Sequence, residues 1–138
     1  MAALETARQN IVTAIEAAKT GAPTSNLVIE YDNRIVVNTQ TQTDPYLAVH
    51  VMFMGGAQAD LSDAPIHRVY GQIHLAAVVK EGQGSAKALA LLDFFFPQLQ
   101  RKTFGVVHTH MADTTPVKTL NGLVYYPILV PFWFDKIY

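Results

Sequence analysis

The 138 residues suffice for the core of one domain and leave no room for a second. Half of them are hydrophobic, 15% are charged and the net charge is −1, so the chain has no basic field to draw nucleic acid or an anionic membrane. It has no cysteine, which removes disulfide and thiolate chemistry, and its N-terminus lacks the basic-then-apolar pattern of a signal peptide, so the expectation is a soluble cytoplasmic product.

In chain order, Leu4, Ala7, Ile11, Ile15 and Ala18 recur every three or four residues among Glu5, Arg8, Gln9, Glu16 and Lys19. That spacing predicts an amphipathic helix from about Ala2 to Thr20, ended by Gly21 and Pro23. Leu27 to Tyr31 reads as a short strand, Asp32-Asn33 as a turn and Ile35 to Val37 as a further short strand. Asn38 to Asp44, NTQTQTD, is polar and low in complexity, the pattern of an exposed mobile loop.

Alternation from Tyr46 to Met54 predicts a strand, with Leu47, Val49, Val51 and Phe53 on one face and Gly55-Gly56 as its stop. The following Ala57 to Pro65 reads as a projecting loop. From Arg68 to Lys80 a strict period of two puts Val69, Gly71, Ile73, Leu75, Ala77 and Val79 on a dry face. This strand is far longer than the roughly 5–6 residues that are usual, so it is expected to overhang its sheet and offer an edge for docking.

Gly82-Gln83-Gly84 predicts a turn, and Ser85 is placed to cap a helix over Ala86 to Phe96. Lys87 and Asp93 are the only charges in that helix, so it is expected to be covered on more than one side, by its own sheet and by a neighbouring subunit. A third long strand is read over Lys102 to His110 and a loop over Asp113 to Pro116. Asn121-Gly122 marks a two-residue hairpin between Lys118–Leu120 and Leu123–Tyr125.

The last strand, Leu123 to Phe134, carries Pro127 and Pro131 at equal parity. Both missing N–H donors therefore fall on one side, where the strand is expected to be an edge. Its even positions, Val124 to Phe134, are apolar and Tyr125, Leu129 and Trp133 lie opposite. This surplus points to self-association or to a covering helix layer. Together these elements make an α+β domain, a mostly antiparallel sheet packed with two helices.

Chemical motifs are sparse. His50, His74, His108 and His110 sit on strands, and if their faces coincide three imidazoles could ligate zinc with Asp113 nearby. Sheet histidines satisfied by hydrogen bonds are the plainer alternative. Neither Ser62 nor Ser85 lies in a GxSxG turn, and Gly82-Gln83-Gly84 lacks the remainder of a phosphate loop. Phe94-Phe95-Phe96 and Trp133 read as core and interface.

With these residues in view, the chain resembles the tail terminator, or tail completion, proteins of siphophages. The likeness runs through the N-terminal amphipathic helix, Pro45-Tyr46-Leu47-Ala48-Val49, Arg68-Val69-Tyr70-Gly71-Gln72-Ile73, Gly82-Gln83-Gly84-Ser85 and Tyr125-Tyr126-Pro127-Ile128-Leu129-Val130-Pro131-Phe132. His108-Thr109-His110 and the Thr/Gln-rich loop depart from it. The resemblance implies a virion protein, made in the host cytoplasm, that forms a ring, usually of six copies, on the finished end of the tail tube. Such a ring stops tube polymerisation and meets the head connector, without enzymatic activity, cofactor or metal.

On that reading the partners are further copies of the chain, the major tail tube protein and the head–tail connector proteins, with no nucleic-acid readout and no membrane. The candidate partner contacts are Asn38, Thr39, Gln40, Thr41, Gln42 and Asp44 in one loop and Gln58, Asp60, Ser62 and Asp63 in the other. The candidate subunit interface comprises Arg68, Tyr70, Lys87, Phe95 and Trp133. The competing classes are a small zinc-dependent or hot-dog-like thioester hydrolase built on the histidines, and a dimeric binding module.

Overall fold

A computed structural model describes residues 3–23, 27–32, 45–58, 66–82 and 84–137. Helix α1 (Ala3–Lys19) leads into strand β1 (Ile29–Tyr31), then β2 (Tyr46–Gln58) and β3 (Ile66–Lys80). Helix α2 (Ala86–Leu99) follows, then β4 (Thr103–Phe104), β5 (Val107–Thr109), β6 (Asp113–Thr114), β7 (Lys118–Leu120) and β8 (Leu123–Ile137). The fold is α+β.

The long strand read from the sequence is the centre of the sheet. β3 pairs antiparallel with β2 on one side and with β8 on the other, so that His50, His74 and Leu129 stand level, as do Ala48, Ala76 and Pro127. β1 adds to β2 in parallel, and the outer side of β8 receives β7, β6 and β5 in turn, with β4 beyond β5.

Alternation then sorts the faces. Leu47, Val49, Ile73, Leu75, Ile128, Val130 and Phe132 turn to one side, where Ile11 and Ile15 of α1 and Leu91, Phe95 and Leu99 of α2 close over them. Helix α1 is also tied to β1 through Arg8 Nε, 2.6 Å from Asp32 Oδ2, and the Tyr31 hydroxyl, which donates to Glu16 Oε1 at 2.8 Å. No described helix is long and apolar enough to cross a membrane.

Several expectations are corrected. Gly55-Gly56 does not stop β2: the strand absorbs an extra residue as a bulge between Phe53 and Gly55 and continues to Gln58. Gly56 suits the passage because a Cβ there would lie 2.9 Å from the Arg68 carbonyl oxygen. Ser85 makes no side-chain cap; its backbone is already helical and its carbonyl accepts the Leu89 N–H at 2.9 Å. Helix α2 runs on through Pro97 to Leu99.

The expected strand from Lys102 to His110 is a hairpin, β4 and β5 joined by a two-residue turn led by Gly105 at φ +59. The Asn121-Gly122 hairpin forms as read, both residues having positive φ. The even apolar face of β8 is covered by the chain's own helices, while Tyr125, Leu129 and Trp133 lie on the opposite face of the sheet. Phe95, expected at a subunit interface, is wholly buried in the core and is withdrawn from it.

Candidate functional site

With both helices on one face of the sheet, the other face has no helical cover among the described residues. It falls into two zones along the strands.

The first is a groove of about 770 Å3. Its floor is the level row Ala48, Ala76 and Pro127, contributed by β2, β3 and β8, where short side chains leave a depression. One rim is the row Tyr46, Val78 and Tyr125, which packs into a small apolar cluster with Leu123. The other rim is His50, His74 and Leu129. Glu30 on β1 closes one end, and Thr115, Pro116 and Lys118 of the β6–β7 segment close the other.

The electrostatics of the groove follow from these placements. His74 lies 3.3 Å from Gln72 Oε1 through Nε2, and its pKa is lowered, first by burial and then by the facing His50. His50 Nδ1 is a buried atom 3.4 Å from Asp32 Oδ1 without hydrogen-bond geometry. That carboxylate is already engaged, accepting the Val51 N–H at 3.0 Å through Oδ1 and Arg8 Nε through Oδ2. The Tyr46 hydroxyl is pushed up to about 12 by burial, reinforced by Tyr125 and Glu30.

The second zone lies further along β3 and β8. Arg68 stacks on the Trp133 ring at 4.0 Å from its centroid while holding Asp135 in a two-pronged pair, Nε to Oδ1 at 2.9 Å and Nη2 to Oδ2 at 3.1 Å. Those hydrogen bonds keep the Asp135 carboxyl below the usual carboxylate range. His108 from β5 stacks on the same indole at 4.3 Å between ring centroids, and Tyr70, 45% exposed, stands level with Trp133. Half-buried Arg68 and Trp133 beside exposed Tyr70 have the composition of an interface hot spot.

Three of the expected interface residues, Arg68, Tyr70 and Trp133, are thus brought together. Lys87 is exposed on the first turn of α2, in the helix layer. Of the expected partner-contact residues, Asn38, Thr39, Gln40, Thr41, Gln42, Asp44, Asp60, Ser62 and Asp63 lie outside the described residues, as do Gln83 and the strand read at Ile35 to Val37. Gln58 ends β2 opposite His67.

The three-imidazole arrangement is not assembled. His50 and His74 are neighbours, but His108 sits level with Trp133, four residues from Leu129 along β8 and so roughly 13 Å from the His74 row. Among the described residues no three His, Asp or Glu side chains gather as metal ligands. The groove floor was missed in the sequence, because Ala48, Ala76 and Pro127 belong to three separate strands and carry no chemical signal.

No family model and no curated protein matches the chain. Among solved structures, one protein that bears no functional name is similar over 95% of this chain and 96% of its own, at 17% sequence identity and a TM-score of 0.63. At that identity the likeness is one of fold.

Proposed function

We propose that the chain is a structural subunit that assembles into a ring, of six copies as the tail-terminator resemblance implies, at the head-proximal end of a phage tail tube. There it stops tube growth and offers a surface to the head connector. The observation that carries this reading is the sheet face that has no helical cover among the described residues: an apolar groove and an Arg68–Tyr70–Trp133 patch side by side on strands of 13 and 15 residues. A subunit made for assembly uses such a face; the role requires no catalytic group. In this reading the segments 38–44 and 57–65 contact tube or connector, and the protein acts in the virion after assembly in the host cytoplasm.

Light scattering of the purified protein over a concentration series, with and without purified tail tubes, tests it. A ring-sized species or capped tube ends is the expected result; a dimer indifferent to tubes refutes it. One observation favours a second reading: His50 and His74 stand together in a groove of small-ligand size. A hydrolase of that kind would show acyl-thioester turnover that disappears in His74→Ala.

A further inference from the structure

We infer that the groove is the seat of helix α2 from a second copy of the chain, in a head-to-tail contact. This rests on the self-assembly proposed above and names its interface. The outer side of α2 is the first half of the argument. Ala88, Leu91, Leu92, Phe95 and Leu99 turn into the core, which leaves Ala86, Leu89, Ala90, Asp93 and Pro97 as an exposed stripe on the opposite side. Leu89 is 46% exposed, and Asp93 is the stripe's one charge. The stripe itself is built of small and apolar residues, with exposed Lys87 and Gln98 along its margin.

The groove can seat one side of such a helix. Its two rims are four residues apart along the strands, roughly 13 Å between backbones and less between side chains, so a helix of about 10–12 Å diameter sets its stripe between the rims and rides on them. From β1 to β7 it crosses four strand intervals, roughly 19 Å, and the 14 residues of α2 extend about 21 Å.

Charge fixes the direction. The first turn of α2 has no acidic residue to offset the helix dipole and carries Lys87, so that end suits Glu30. Asp93, about 10 Å along the helix, then lies over the middle of the groove, beside the His50–His74 rim. The floor of Ala48, Ala76 and Pro127 admits close approach by Leu89 and Ala90 without displacing a large side chain.

The two surfaces lie on opposite layers of the domain, so one copy cannot satisfy itself and each contact leaves a stripe and a groove open for the next copy. This is a heterologous interface, which closes as a ring or grows as a filament.

The natural absence of cysteine makes the contact directly testable. Ala76→Cys places a thiol on the groove floor and Ala90→Cys one on the stripe, and a short bis-maleimide is applied with and without tail tubes. The double variant is expected to give a ladder of covalent oligomers. Each single variant alone is expected to stay monomeric, and a mixture of the two singles to give a dimer and nothing larger.

A missing ladder under both conditions, or dimers from either single variant, overturns the inference. Leu89→Lys, on the exposed stripe, should weaken the ladder at least tenfold, and an undiminished ladder overturns the inference; circular dichroism checks that each variant folds. A light-scattering ring without the ladder keeps the ring and overturns this interface, whereas a ladder that grows without closing keeps the interface and removes the ring.

Discussion

Thr109→Val is the substitution whose cost the structure defines best. Thr109 is a buried polar residue, 8% exposed, and its hydroxyl serves two backbone groups. It donates to the Leu99 carbonyl at 2.6 Å and accepts the Lys102 N–H at 2.8 Å. Leu99 is the last residue of α2, where helical carbonyls have no partner within the helix, so a side chain from β5 completes the helix end.

Valine keeps the shape and removes the oxygen. Each stranded group costs about 1–3 kcal/mol, with Lys102 near the low end because its exposed surroundings admit water, for a loss of about 2–4 kcal/mol. In a domain of this size that lowers Tm by about 10 °C. Thr109→Ser keeps both bonds, gives up one methyl and should cost about 1 kcal/mol.

Urea and thermal unfolding followed by circular dichroism measure both variants. The Trp133 emission adds a local readout, because β5 also carries His108 onto that indole. A valine variant within about 0.5 kcal/mol of wild type, or a serine variant as damaged as valine, would refute the reasoning.

Gly71→Ala should destabilise by about 3 kcal/mol, because its Cβ would overlap the Met52 carbonyl oxygen and the Phe132 ring; unfolding at an unchanged urea midpoint contradicts this. His74 has a folded pKa below its unfolded value, so the unfolded chain binds more protons and stability falls as pH drops through about 6.5 toward the depressed value. His74→Gln should therefore lose less Tm between pH 7 and 5 than wild type, and an equal loss would exclude this source of acid sensitivity. In Arg68→Ala the Asp135 carboxyl should titrate at a higher pH by NMR and the Trp133 emission should shift to the red; an unmoved Asp135 would show that Arg68 does not set it.

The sheet and helices were legible wherever side-chain direction has a period. Alternation in β3 and β8 and the three-to-four spacing in α1 are consequences of backbone geometry, and each element lies where its pattern puts it. What failed depended on neighbours. Gly55-Gly56 reads as a stop, yet after a bulge at Met54 both glycines pair with β3, where Gly56 leaves room for the Arg68 carbonyl. Phe95 and Leu89 are both apolar residues of α2, and only docking on the sheet decides that one is buried and the other exposed. For the site, Arg68 and Tyr70 lay on the polar parity of their strand, and Trp133 lay opposite the apolar even positions of the last strand. The groove floor and the Thr109 cap were not legible, because register and tertiary approach create them.

Pro127 and Pro131 show how a correct local inference reaches the site by another route. Their carbonyls accept Thr115 N–H at 3.2 Å and His110 N–H at 2.9 Å, so their ring nitrogens face the side away from β3, as their equal parity requires. That side is not an open edge. A continuous partner would meet two positions without donors, so the chain there docks in short pieces, β5, β6 and β7, that break near each proline. The break between β6 and β7 sets Thr115, Pro116 and Lys118 at the end of the groove, while Pro127 itself lies in the floor. Of the two prolines that argued for an unpaired strand, Pro127 therefore shapes both the end wall and the floor of the surface on which the proposed assembly depends.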